Sequence, residues 1–243
     1  IATDSIVRTD NGVHPIGHLL NCPPLQDNPT KSLVYDGDSL KHAYISMDNG
    51  LAEVYHITTD IGIDLKATYN HLVACIDENG EIVWKEVENL NVGDWIVVVL
   101  DGHAGTDIPL PPIENQRFNS NPITIPDKMS PELGELIGLY MADGCISTNG
   151  RLVFSIDNKD PDLIERVQDL MKQLFNLSAG VIEDKETYSD IFFYSRDLCK
   201  YFEKMGWKKE SSANAFIPEI IFRSSAKTAK AFVRGLFSGD GTV

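Results

Sequence analysis

Two similar nine-residue segments, 97 residues apart, constrain this chain more than any other feature. LIGLYMADG occupies positions 136–144 and VRGLFSGDG positions 233–241, and the two share Gly, Leu, Asp and Gly at the same four places. Each continues an apolar helical pattern and ends in Asp-Gly, where glycine can close a helix. The sequence therefore predicts two helices that carry Asp143 and Asp240 at their C-terminal ends.

The residues between these segments predict an α+β unit of about 75 residues. Ser130 and Pro131 suit a helix start, because serine can accept from first-turn amides and proline is preset for the first helical position. Asn149-Gly150 predicts a tight hairpin within 145–156. The order is helix, two strands, helix, two strands, helix, with the later elements expected at 160–177, 180–183, 190–194 and 195–205.

Glycine and carboxylate positions in the repeated segments indicate how such a unit could act. Gly138 and Gly235 would let two helices approach closely and bring Asp143 and Asp240 together. Two neighbouring carboxylates repel each other unless a cation lies between them, and oxygen ligands suit Mg²⁺ or another divalent cation. Such metals support phosphodiester hydrolysis without histidine. All six histidines lie at positions 14–103, so the second half must work without imidazole.

The paired segments resemble the signature of LAGLIDADG homing endonucleases. A single copy is equally explained by an apolar helix ending in a solvated Asp-Gly turn, but two copies at this spacing favour the family. The resemblance implies metal-dependent cleavage of double-stranded DNA, with Asp143 and Asp240 as catalytic and metal-binding residues. The sheet would lie in the major groove. The candidate DNA contacts by position are Arg151, Lys159, Lys185 and Arg196, each of which could equally be an ordinary solvated charge.

The first 100 residues predict an all-β domain. Short β-type runs alternate with Asn-Gly turns that tolerate positive φ. The predicted strands are 5–9, 52–58, 65–68, 72–76, 81–85 and 94–100, and the turns end at Gly12, Gly50 and Gly80.

Three stretches of this β half, 2–9, 67–71 and 87–97, resemble the Hint fold of inteins and hedgehog-type autoprocessing domains. The segment ATYNH at 67–71 looks like its T-x-x-H element. The resemblance implies an N-to-S or N-to-O acyl shift, without a cofactor, in which His71 is the acid and Thr68 helps to form the oxyanion site.

Several parts that the resemblance calls for are not in this sequence. The family nucleophile, Cys or Ser, would stand one position before Ile1. The C-terminal His-Asn pair and the rest of the second endonuclease repeat are also missing. We therefore expect this fragment alone neither to splice nor to cut. The expected partners are a double-stranded DNA target, flanking host segments (exteins) and, if the chain is naturally split, a C-terminal intein fragment.

Charge and apolar content set the cellular context. The net charge is −15, but residues 1–128 hold 7 Lys/Arg against 19 Asp/Glu whereas residues 129–243 hold 14 against 17. DNA contacts are therefore expected from the second half. The longest apolar run is too short to span a membrane, and no signal sequence is evident, which favours a cytoplasmic protein. The four dispersed cysteines indicate neither a zinc ribbon nor a disulfide framework.

The sequence thus predicts two domains. A Hint-type splicing domain at 1–104 is followed by a Pro/Asn-rich linker at 105–128. A LAGLIDADG domain at 129–243 then holds the first repeat and the first helix of a truncated second repeat. Two alternatives stay open: a LAGLIDADG-scaffold DNA-binding regulator or RNA maturase without nuclease activity, and a Hint domain joined to an unrelated α+β partner.

Overall fold

The computed structural model describes residues 1–20, 24–99, 105–113, 122–211 and 214–240. The chain divides into two compact units, Ile1–Ala104 and Gly105–Val243. Among the described residues, no helix is long and apolar enough to cross a membrane.

The first unit is built from short antiparallel strands, as the sequence predicts. They form sheets of order β2-β1-β4-β5 and β10-β9-β11 and the pairs β3-β6 and β7-β8. The strands are β1 Ile6–Thr9, β2 Gly12–Pro15, β3 Asp27–Pro29, β4 Leu33–Tyr35, β5 Leu40–His42, β6 Ile45–Met47, β7 Tyr55–Thr58, β8 Asp64–Ala67, β9 Leu72–Ile76, β10 Ile82–Glu86 and β11 Trp95–Ile96.

Two of the three predicted turns join paired strands. Gly12 (φ +104°) closes the β1–β2 hairpin, and Gly80 (φ +84°) lies between β9 and β10. Gly50 also has positive φ (+77°), but β6 before it pairs with β3 instead of with the next strand. Strands β2–β6 were not predicted, because each is only three or four residues long and mostly exposed or half-buried.

The core of the first unit is small. Ala67, Val73, Cys75 and Val87 form its buried centre. Large apolar side chains remain exposed on the same unit, including Trp84 and Trp95 on the strands flanking β9. The described part of this unit thus leaves much apolar surface in water.

The second unit has the predicted order of elements. Its helices are α1 Pro131–Asp143, α2 Pro161–Phe175, α3 Arg196–Lys204, α4 Glu219–Arg223 and α5 Ala226–Asp240. Its strands are β12 Gly144–Ile146, β13 Leu152–Asp157, β14 Val181–Asp184 and β15 Tyr188–Phe193. The short α4 was not predicted.

Local chemistry explains where these helices begin and end. The Ser130 hydroxyl accepts from the Leu133 amide at 3.2 Å, and Ser195 caps α3 in the same way. Helix α2 stops two residues before its predicted end, because Asn176 adopts a left-handed conformation (φ +53°) and its N–H bonds to Lys172. Helix α5 continues through Gly239 to Asp240, whereas Gly241 lies outside the described residues.

Gly144 ends α1 for a reason other than the predicted one. Its φ of −91° lies in the extended region, so no left-handed cap forms. A β-carbon at Gly144 would instead collide with the ring and backbone of Tyr140. Close packing, not backbone conformation, explains the glycine.

The four antiparallel strands of the second unit lie in the order β12-β13-β15-β14. Alternate residues of the two central strands, among them Phe154, Ile156, Ile191 and Phe193, face a single core shared with α1, α2 and α3. Gly150 (φ +72°) closes the predicted hairpin between β12 and β13. One face of the sheet is therefore buried, and the other faces away from this core.

The segment predicted as a linker packs into the second unit wherever it is described. Leu110 and Ile123 are buried in its core. The Leu110 amide bonds to the Asp127 carbonyl at 2.8 Å, and the Thr124 amide to the Phe175 carbonyl at 3.1 Å. Proline and asparagine content suggested a connector, but the apolar residues between the prolines are core residues. Residues 114–121 of the segment lie outside the described residues.

The structure describes three of the four cysteines. Cys75 and Cys199 are buried, Cys145 is exposed, and all three are free thiols. Cys22 lies outside the described residues.

Candidate active site

The helices α1 and α5 pack side by side, with glycines at the contact. A β-carbon at Gly138 would overlap the Phe232 carbonyl, and one at Gly235 would overlap the Glu135 carbonyl. Residues later in α1 meet residues later in α5, so the two helices run parallel and end together. The predicted helix-packing glycines therefore lie where the two backbones approach most closely.

The C-terminal ends of this pair bring Asp143 and Asp240 near each other. A β-carbon built at Gly239 would lie 2.6 Å from Oδ2 of Asp143, which places that carboxylate against the last turn of α5. Burial, followed by the charge of Asp240, raises the pKa of Asp143 to about 6, although Lys209 opposes the shift. The two carboxylates thus share one electrostatic environment.

A buried lysine completes this environment. Lys209 is only 5% exposed, and its Nζ donates to the carbonyls of Met141 and Ala142 at 2.7 and 2.6 Å. These carbonyls belong to the last turn of α1, which otherwise lacks intrahelical partners. Burial lowers the pKa of Lys209, while Asp240 and Asp143 raise it.

Lys209 was not predicted from the sequence. It lies 66 residues after Asp143, within a run of ordinary surface residues that includes Lys208 and Glu210. Only the fold places it beside the carboxylates. A weak signal was available, because an ammonium is a natural partner for C-terminal carbonyls of a helix.

Two carboxylates are hard oxygen donors of the kind that Mg²⁺ prefers. Within the described ranges, no group of three or more His, Cys, Asp or Glu residues forms a metal cluster. A site built on Asp143 and Asp240 would therefore leave most coordination positions to water and phosphate, which is usual for Mg²⁺. The donor set fits the predicted cation.

The four predicted DNA contacts lie in different surroundings. The guanidinium of Arg151 lies over the rings of Tyr194 and Phe192, at 5.2 and 5.9 Å from their centroids. The stem of Arg196 lies against Gly150. Lys185 pairs with Glu183 at 2.9 Å, and the amide of the exposed Lys159 bonds to a carboxylate. Arg151 is thus held on the sheet, while Lys185 is partly neutralised.

A polar row that includes two carboxylates crosses the face of the sheet opposite the core. Ser155, Asp190 and Glu183 form a row across β13, β15 and β14, and Ser155 donates to Asp190 at 2.6 Å. Carboxylates repel phosphates but can accept from the amino group of cytosine in the major groove. This row was not predicted, since its members lie up to 35 residues apart and only strand register aligns them.

In the first unit, Thr68 and His71 lie at the two ends of one turn. The His71 amide donates to the Thr68 carbonyl at 3.1 Å, and the Thr68 hydroxyl donates to Asn70 at 2.9 Å. His71 is half-buried, and this desolvation lowers its pKa. Burial of the ring therefore favours its neutral form.

Comparison with known proteins identifies part of the chain. Residues 130–206 match the family model described as a LAGLIDADG-like domain. The chain is 27% identical to a component of the A-type ATP synthase of Pyrococcus abyssi, over 82% of this chain and 19% of that protein. It is 28% identical to the replication factor C small subunit of Methanocaldococcus jannaschii, over 77% of this chain and 9% of that protein.

A third relative covers the whole chain. The NrdEB alpha chain of ribonucleoside-diphosphate reductase from Bacillus subtilis is 23% identical over 100% of this chain and 22% of that protein. The chain thus spans less than a quarter of the length of each of these three relatives. Together with the helix–strand–strand architecture, the family match shows that residues 130–206 form a LAGLIDADG-like domain, preceded by β-rich segments.

Proposed function

We propose that the second unit belongs to a site-specific, double-strand DNA endonuclease in which Asp143 and Asp240 hold a divalent cation. The observation that carries this proposal is the meeting of two carboxylates at the ends of parallel helices, beside the buried Lys209. LAGLIDADG-like domains are generally DNA-binding nucleases, which makes an enzymatic role the natural interpretation of the family match.

Each residue of this site has a distinct role in the proposed reaction. Asp143 and Asp240 hold the cation, which when bound activates water and neutralises phosphate charge. Lys209 secures the last turn of α1 through the Met141 and Ala142 carbonyls and so supports the position of Asp143. Arg151, held over two rings, presents its guanidinium edge to a base or phosphate. Lys159, Lys185 and Arg196 are proposed as phosphate contacts.

DNA cleavage by the complete reading frame tests this proposal. The protein is incubated with Mg²⁺ and a duplex carrying the uninterrupted host gene, and the ends are mapped. Asp143→Asn and Asp240→Asn should each abolish cleavage, whereas Asp169→Asn, a change on α2, should not. Cleavage that survives both substitutions would refute the assigned site. Duplex binding without any cleavage would favour the regulator or maturase alternative.

We further propose that residues 1–104 are the N-terminal part of a Hint-type splicing domain and that the whole chain belongs to an intein. Three relatives with unrelated names match most or all of this chain, and the chain covers a small fraction of each, as expected for a module inserted into different hosts. The Ala2 amide donates to the Lys66 carbonyl at 2.9 Å, which places the start of the chain beside the strand that leads into the Thr68–His71 turn. The exposed apolar surface of this unit further supports a domain completed by other strands.

In this proposal, His71 first accepts and then donates a proton at the N-terminal junction. Its lowered pKa favours the neutral form that can accept the proton of an upstream Cys or Ser. The acyl shift moves the preceding acyl group from nitrogen to that side chain, and protonated His71 supports departure of the amide nitrogen. Thr68 lies at the other end of the turn, where a hydroxyl could support the oxyanion.

Intact mass measurement of the complete frame between two reporter domains tests splicing separately from cleavage. Ligated reporters and an excised product are expected, and His71→Ala should block their formation. His56→Ala, which changes an exposed histidine on β7, is the matched control. An unprocessed fusion with an intact upstream nucleophile would refute splicing and leave the endonuclease proposal to its own assay.

A further inference from the structure

The glycines that pack α1 against α5 do not by themselves fix how far one helix is shifted along the other. Glycines repeat every four residues on both helices, at Gly134 and Gly138 on α1 and at Gly235 and Gly239 on α5. A β-carbon at any of them would meet backbone or side-chain atoms of the opposite helix. Because the spacing is about one turn, sliding one helix by about 5.4 Å again places glycine against backbone. The glycines permit close approach without selecting one alignment.

A buried carboxylate on α1 makes contacts that select one alignment of the two helices. Glu135, on α1, is 8% exposed. Its two oxygens accept from Nε and Nη2 of Arg166 on α2, at 2.9 and 2.8 Å, in a bidentate pair. Oε2 also accepts from Nη2 of Arg234 on α5 at 2.7 Å. One carboxylate therefore joins three helices, and each arginine is partly exposed.

The position of Arg234 makes this contact sensitive to helix alignment. Arg234 immediately precedes Gly235, which lies over the carbonyl of Glu135 itself. A one-turn displacement of α5 would carry the Arg234 backbone about 5.4 Å from this carboxylate. Breaking this contact would remove one of the two cations that compensate the buried Glu135 charge, which is costly in partly buried surroundings.

We propose that Glu135 is a positioning residue that fixes α5 against α1 and thereby places Asp240 beside Asp143. The inference rests on the proposed endonuclease site, because positioning matters only if the two carboxylates act together. Glu135 is eight residues before Asp143. That is about 12 Å along the helix at about 1.5 Å per residue, so it acts through helix alignment and touches no reacting group.

A second contact holds the beginning of α5. Oδ1 of Asp107 accepts from the Thr228 hydroxyl at 2.7 Å and from the Ser225 amide at 3.1 Å. Thr228 in turn lies against Gly134. This contact retains the start of α5 when the Glu135 contact is removed, so substitutions at Glu135 should loosen the far end of α5 without unfolding the unit.

Hydrogen exchange and Mn²⁺ binding, measured on the same variants of the 243-residue chain, test the proposal. Glu135→Gln keeps the shape and removes the charge, and Arg234→Met removes one contact at a mostly exposed position. Matched controls are Glu165→Gln on α2 and Lys230→Met on α5. Arg234→Lys keeps the charge and should therefore retain part of the wild-type protection from exchange and part of the Mn²⁺ affinity.

We expect about tenfold faster exchange in the last two turns of α5 for Glu135→Gln and Arg234→Met, with the β13 and β15 strands unchanged. Mn²⁺ affinity should fall about tenfold in the same two variants, as for residues that orient metal ligands. Wild-type exchange at the end of α5 in both variants would overturn the proposal, and so would wild-type Mn²⁺ affinity. If the wild-type chain binds no Mn²⁺, the proposed metal site fails, and the exchange data still decide the role of Glu135.

Discussion

Replacing Gly138 by alanine tests the close approach of the two site helices. A β-carbon there would overlap the Phe232 carbonyl and lie 2.8 Å from the backbone nitrogen of Leu236. Both obstacles are helix backbone, so neither can rotate away and the helices must separate. Alanine is favoured over glycine in a helix by about 1 kcal/mol, whereas overpacking costs about 1–3 kcal/mol, and more where backbone must move. We expect a net loss of about 1–2 kcal/mol in the unfolding free energy of the second unit.

Native-state hydrogen exchange measures this loss within one unit of a two-unit chain. The slowest amides of α1 and α5 should exchange about 5–30-fold faster in Gly138→Ala, since about 1–2 kcal/mol corresponds to that factor. Ser238→Ala, an exposed change on α5, is the control and should differ little from wild type. If Gly138→Ala instead gained about 1 kcal/mol, helix propensity alone would be acting, and the close approach would be refuted.

Three further predictions concern charge and hydrogen bonding at the site. The pKa of Asp143 is raised to about 6, above its unfolded value of 3.8, so the folded state binds more protons between these values and stability should fall as pH rises through this window. In the Asp143→Asn variant, this pH-dependent loss of stability, on the order of 1–2 kcal/mol after reduction for partial exposure, should be absent. The same dependence of the urea midpoint on pH in both proteins would contradict this. Lys209→Met should destabilise the unit by about 1–3 kcal/mol through loss of the Met141 and Ala142 contacts; an unchanged melting temperature would refute it. Asp190→Asn should relax the preference for one base pair by about 1–3 kcal/mol in a panel of single-substituted targets, and an unaltered panel would exclude base reading by this residue.

Much of the second unit could be predicted because its signals are local. The Ser130-Pro131 start, the Asn149-Gly150 hairpin and the paired Asp-Gly segments each depend on neighbouring residues, and the structure places each element close to its expected range. These signals also indicated that Asp143 and Asp240 would meet. Local signals are reliable where a long periodic pattern agrees with its terminal residues.

The rest depends on contacts that are distant in sequence. Lys209 reaches the end of α1 from 67 or 68 residues away, and Arg234 reaches Glu135 from 99 residues away. No pattern of neighbouring residues identifies such partners. The linker prediction failed for a related reason. In the sequence, Leu110 and Ile123 are isolated apolar residues among prolines, and only the fold shows that they are buried in the core.

The most direct test of the account is calorimetric titration of Mn²⁺ into the chain and into its Asp143→Asn and Asp240→Asn variants, with Asp162→Asn as the exposed control. We predict one site that both substitutions remove and the control retains, because each helix supplies one carboxylate. Equal Mn²⁺ binding by wild type and both variants would show that the two helix ends do not form a shared metal site.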